Sequence, residues 1–81
     1  MRIPRDLSAQ ELVKALEKMG YEVTRRKGSH IRLTTMEQGE HHVTIPDHAA
    51  MRVGTLSGIL GDIAEHFGIP RDELMEELFR K

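Results

Sequence analysis

The 81-residue chain has no cysteine, which excludes a disulfide scaffold and any thiolate zinc site. Its only aromatic residues are Tyr21, Phe67 and Phe79, too few for a platform that stacks single-stranded bases. No apolar run approaches the ~18 residues that span a bilayer. The start, Met1-Arg2-Ile3-Pro4-Arg5-Asp6, is not followed by the apolar stretch of a secretory signal, so the expected location is the cytoplasm. A strong excess of one charge is also missing: the formal net charge is -1. No whole-chain field draws in nucleic acid by itself.

What is present fits an ordinary globular chain. Hydrophobic residues make up 38% and glycine adds seven more positions, a composition that argues against disorder. The length leaves room for one core, so residues 1–81 are expected to form a single domain. The small net charge hides an asymmetry. Residues 1–36 carry eight Lys/Arg against four Asp/Glu, whereas residues 37–81 carry four against nine. A local basic surface in the first half is therefore compatible with the near-neutral total.

Hydrophobic periodicity sets out the elements. Ser8-Ala9-Gln10-Glu11 reads as a capping box, and Leu12, Val13, Leu16 and Met19 follow at helical spacing until Gly20, predicting a helix over 9–19. Alternation then predicts three strands, over 21–25, 29–34 and 41–45. A three-residue loop at Arg26, Lys27 and Gly28 would pair Val23 with Ile31 and set Glu22 across from Arg32. The second hairpin would turn through Glu37, Gln38 and Gly39, pairing Leu33 with Val43 and Ile31 with Ile45. Tyr21, Val23, Ile31, Leu33, Val43 and Ile45 then face inward, while His30, Arg32, His42 and Thr44 face outward. Leu56, Ile59, Leu60, Ile63, Ala64 and Phe67 mark a second helix, with Thr55 as its expected cap and Gly68 as its stop. Pro70 opens a third, short helix packing through Leu74, Met75, Leu78 and Phe79. The expected fold is an α+β sandwich of order α-β-β-β-α, with a three-stranded antiparallel sheet and two helices on one face, plus a short C-terminal helix. Double-stranded-RNA-binding domains share this arrangement.

Five histidines raise the question of a metal. His41 and His42 point to opposite faces, His30 and His42 are not cross-strand partners, and no carboxylate completes a three-ligand set. No metal site is expected, and His41, His42 and His66 read as solvated or rim residues. The densest chemical signal is Arg25-Arg26-Lys27-Gly28-Ser29-His30-Ile31-Arg32. Cations around a glycine turn suit a phosphate, and an outward histidine exchanges protons near neutral pH. For RNA, such a group could assist attack of the 2′-hydroxyl on the adjacent phosphate. The competing reading is a solvated hairpin whose charges deter edge pairing. Arg52-Val53-Gly54-Thr55 at a helix start is a second phosphate candidate, with an ordinary helix cap as its alternative.

The runs Glu11-Leu12-Val13-Lys14-Ala15-Leu16-Glu17-Lys18-Met19-Gly20-Tyr21, Lys27-Gly28-Ser29-His30, Val43-Thr44-Ile45-Pro46-Asp47-His48 and Gly54-Thr55-Leu56-Ser57-Gly58-Ile59-Leu60 resemble the HicA, or YcfA-like, family of mRNA interferase toxins. The resemblance covers about residues 8–69 and leaves 70–81 as a C-terminal helical extension. It implies a double-stranded-RNA-binding-like fold and a ribonuclease of a type II toxin–antitoxin system, neutralised by a HicB-type antitoxin. It also implies that His30 is catalytic, presented by Gly28 and Ser29. Arg26, Lys27, Arg32 and Arg52 are the expected RNA contacts, with mRNA as substrate and no cofactor. Ile31 stands where many members carry a second histidine. The alternatives are a non-catalytic RNA-binding module of the same fold and a protein-interaction domain.

Overall fold

The computed structural model describes residues 6–80, and expectations resting on Met1 to Arg5 or on Lys81 lie outside them. Helix α1, Ala9–Leu16, starts with the expected reciprocal cap. The Glu11 amide donates to Ser8 Oγ at 3.1 Å, and the Ser8 amide donates to the Glu11 carboxylate at 3.0 Å. The Ser8 amide, and after it the Ser8 hydroxyl, hold the Glu11 carboxyl below its ordinary pKa. The predicted 9–19 helix tightens into a 3₁₀ turn at Glu17–Met19, and Gly20 ends it at φ +83°. Glycine is required there twice over. The dihedral is left-handed, and a Cβ would meet Thr35 Oγ1 at 2.8 Å as well as the Glu37 carboxylate.

The chain then forms β1 (Glu22–Lys27), β2 (His30–Thr35) and β3 (His41–Pro46), antiparallel and in the order β1-β2-β3. The β2–β3 register is the expected one, with Ile31 opposite Ile45 and Leu33 opposite Val43. The β1–β2 register is not. Lys27 pairs with His30, Arg26 with Ile31 and Arg25 with Arg32, around a two-residue turn at Gly28 and Ser29. Carried along the strand, that register would turn Val23 to the outer face. A bulge at Thr24 absorbs one residue and returns Val23 to Leu33, with Glu22 opposite Thr34 rather than Arg32. The Thr24 hydroxyl holds the bulge by bonding Thr34 Oγ1 at 3.0 Å.

Ile31, Leu33, Val43 and Ile45 line the inner face and are buried with Leu12, Leu16 and Tyr21 of the first segment. Val23, expected among them, is 37% exposed: β1 is one of the two edge strands, and unlike β3 it has every residue exposed. Helix α2, Val53–Phe67, buries Leu56, Leu60, Ile63 and Ala64 and stops at Gly68. It begins two residues before the expected Thr55 cap. Met51 is buried with its amide bound to the Leu7 carbonyl at 2.9 Å, and Arg52 then serves as N-cap without a side-chain bond. Helix α3, Arg71–Phe79, buries Leu74, Met75 and Leu78 in the same core. Lys18 Nζ donates to the Leu78 carbonyl at 3.0 Å, capping the end of α3 from the first helical segment. No helix among the described residues is long and apolar enough to cross a membrane.

Candidate functional site

The outer face of the sheet, at its turn end, carries two cross-strand pairs. Lys27 faces His30 and Arg25 faces Arg32, with Thr44 of β3 opposite Arg32 on the other side. These five residues line a concavity of about 230 Å³. Like charges set directly across two strands destabilise a sheet. Among the described residues no carboxylate pairs with Arg25, Lys27 or Arg32, and the His30 ring has no hydrogen-bond partner. A concave cluster of uncompensated cations is a site for an anion.

The turn that carries His30 is braced. Gly28 takes φ +58°, which the tight two-residue connection demands. The Ser29 carbonyl accepts the Asp47 amide at 2.7 Å, and one residue later the His48 carbonyl accepts the Ala9 amide at 2.9 Å. The segment after β3 thus ties the hairpin tip to the start of α1.

Of the expected site residues, Lys27, His30 and Arg32 meet in the concavity, flanked by Gly28 and Ser29. Arg26 does not join them: opposite Ile31, it stands on the other face of the sheet. Arg25 takes its place. Arg52 lines a separate concavity with Asp6, Ala50, Met51 and Val53, and the structure does not bring it to His30. Arg25 and Thr44 are the residues that sequence reasoning missed. A two-residue turn at Gly28-Ser29 with a compensating bulge would have found Arg25.

The opposite end of the sheet has a different character. His41 and His66, expected as solvated rim residues, stack with centroids 4.4 Å apart. His41 Nδ1 lies 2.7 Å from the Tyr21 hydroxyl, and His66 Nε2 lies 2.9 Å from the Glu37 carbonyl. Burial, then the neighbouring His66, lowers the His41 pKa, against an opposing pull from Asp62. Burial, with a smaller contribution from the Asp62 charge, pushes the Tyr21 hydroxyl up to about 12. His42 is exposed on the outer face between Thr34 and Glu40. No group of three or more His, Asp or Glu among the described residues is placed to hold a metal ion.

The family model described as the HicA toxin of bacterial toxin-antitoxin matches residues 9–65. The chain belongs to the HicA toxin family: it is the toxin of a toxin–antitoxin system, whose partner is an antitoxin. The match runs from α1 through most of α2 and leaves α3 outside it. No curated protein and no solved structure matches the chain.

Proposed function

We propose that this toxin is a ribonuclease that cleaves mRNA in the cytoplasm, with His30 as general acid/base and Arg25, Lys27 and Arg32 holding the phosphates of the RNA backbone. The observation that carries the reading is the isolation of the His30 ring among three cations in the same concavity. Histidine is the side chain whose ordinary pKa lies near neutrality, so it suits proton transfer where arginine and lysine suit charge. A ring nitrogen takes the proton from the 2′-hydroxyl as that oxygen bonds to phosphorus. The bond from phosphorus to the departing 5′-oxygen breaks, and that oxygen gains a proton from the imidazolium or from water. The products are a 2′,3′-cyclic phosphate and a 5′-hydroxyl. Cations at the phosphate stabilise the charge that grows on its oxygens. No metal or organic cofactor enters this chemistry.

In this reading residues 1–81 work as one domain, with residues 70–81 as an extension whose buried leucines complete the core. A HicB-type antitoxin silences the toxin by covering the His30 and Arg32 face with acidic groups, since the hairpin is the concentrated positive feature available for complementarity. Hydrogen exchange on the complex should protect β1 and β2. Protection confined to residues 71–80 would contradict that docking mode. The activity itself is tested by incubating purified protein with mRNA in excess chelator. Fragments ending in 2′,3′-cyclic phosphate are expected. Salt-dependent RNA binding without any cleavage would instead support the binding-module reading.

A further inference from the structure

We propose that the concavity seats two successive phosphates of one RNA strand, Lys27 and His30 at the scissile one and Arg25 and Arg32 at its neighbour. The inference rests on the ribonuclease reading for which phosphate is cleaved, but not for the seat itself. Its basis is the register. Lys27 with His30, and Arg25 with Arg32, form two rungs of the β1–β2 ladder on one face. Rungs two residues apart along a strand are ~6.6 Å apart, a step comparable to the separation of neighbouring phosphates on a single strand. The Arg25–Arg32 rung sets two like charges across from each other, and Lys27 adds a third on the next rung. A phosphate on each rung removes that repulsion.

The two rungs differ in chemistry as the two phosphates would require. Guanidinium forks grip a phosphate bidentately and fix its position, which suits the one that does not react. Lysine is a compact point charge that can follow a phosphate as its geometry changes, and it stands beside the proton-transfer group.

The ladder also ends after two rungs. Above Arg25 and Arg32 come Glu22 opposite Thr34, the Thr24 hydroxyl, and His42 with its Nε2 only 2.6 Å from the Glu40 carboxylate. Two carboxylates at that level repel a third phosphate. Below Lys27 and His30 the chain turns through Gly28 and Ser29, which carry no charge, and Asp47 follows. Thr44 and Pro46, the β3 partners of Arg32 and His30, add no cation sideways.

The test uses the intact protein and oligothymidylates of two, three and four residues, without terminal phosphates. They carry one, two and three phosphates and lack the 2′-hydroxyl, so they bind without being cleaved. Affinity should rise at least about tenfold from one phosphate to two, the size of a charge-assisted contact. It should rise less than about twofold from two to three. The slope of log affinity against log salt should level at about -1.4, two phosphates at ~0.7 each. Arg32→Gln and Lys27→Gln should each erase the first rise, and the same charge change at Lys14, on α1, should leave it. Equal gains for every added phosphate, or a rise untouched by Arg32→Gln in a protein that still folds by thermal unfolding, would overturn the two-phosphate seat. RNA cleavage measured alongside separates the two proposals. Cleavage without the affinity step sinks the seat alone, and the step without cleavage sinks the ribonuclease alone.

Discussion

The two ends of the β-sheet use the same residue type in opposite ways. At the far end His41 and His66 stack on each other and are tied to Tyr21 and to the Glu37 carbonyl. At the turn end the His30 ring has no hydrogen-bond partner among the described residues and shares its concavity with Arg25, Lys27 and Arg32. A histidine whose polar atoms are satisfied within the fold contributes to stability. One left unsatisfied among uncompensated cations contributes little to folding and is free to meet a ligand. The contrast separates structure from chemistry better than a count of histidines does.

The comparison breaks first at His30. His30→Ala should lower RNA cleavage by about 10²–10⁴-fold, the usual cost of losing a general acid/base. Its thermal unfolding should move by less than ~0.5 kcal/mol, since no cavity opens on an exposed face. Thr35→Val probes the far end. It leaves the Met19 carbonyl and the Glu37 amide, now bound to the Thr35 hydroxyl at 3.0 and 3.1 Å, without a partner. A loss of ~1–3 kcal/mol in denaturant unfolding is expected, with cleavage by the folded fraction unchanged.

The pH dependence of stability sharpens the contrast further. The folded state disfavours the charged form of His41, whereas the unfolded chain takes up the proton at the ordinary value of ~6.5. The His41 contribution is therefore complete above ~6.5 and falls as the pH drops below it. Tyr21 acts at the other extreme. Its folded value of about 12 lies above the unfolded ~10, so stability is lost as the pH rises through that window. Denaturant midpoints across pH 4–12 should show both arms, and His41→Asn should flatten the acid one. The smallest effect is expected at Arg52, which lines a different concavity. Arg52→Ala should change stability by less than ~0.5 kcal/mol and weaken RNA binding less than Arg32→Ala does.

Much of this layout is legible in the residue order. The capping box at Ser8 and Glu11, the β2–β3 register and the buried stripe of α2 follow from local chemistry and period. The β1–β2 register does not, because a bulge at Thr24 leaves no mark in composition: any exposed strand residue can occupy it. That one inserted residue decides whether Arg25 or Arg26 faces the concavity. The start of α2 departs from the Thr55 expectation for a related reason. Thr55 has the better capping side chain, but the buried Met51 fixes where the chain turns. The His41–His66 stack joins residues from a strand and a helix, a pairing that no local pattern encodes.

The central claim, that His30 moves the proton, is tested most directly by chemical rescue. Folded His30→Ala protein is assayed for mRNA cleavage with and without added imidazole, across a range of pH. Free imidazole should restore part of the lost rate, with a pH dependence that follows the added base and the same 2′,3′-cyclic phosphate ends. Cleavage by His30→Ala at the parental rate without imidazole would contradict the claim.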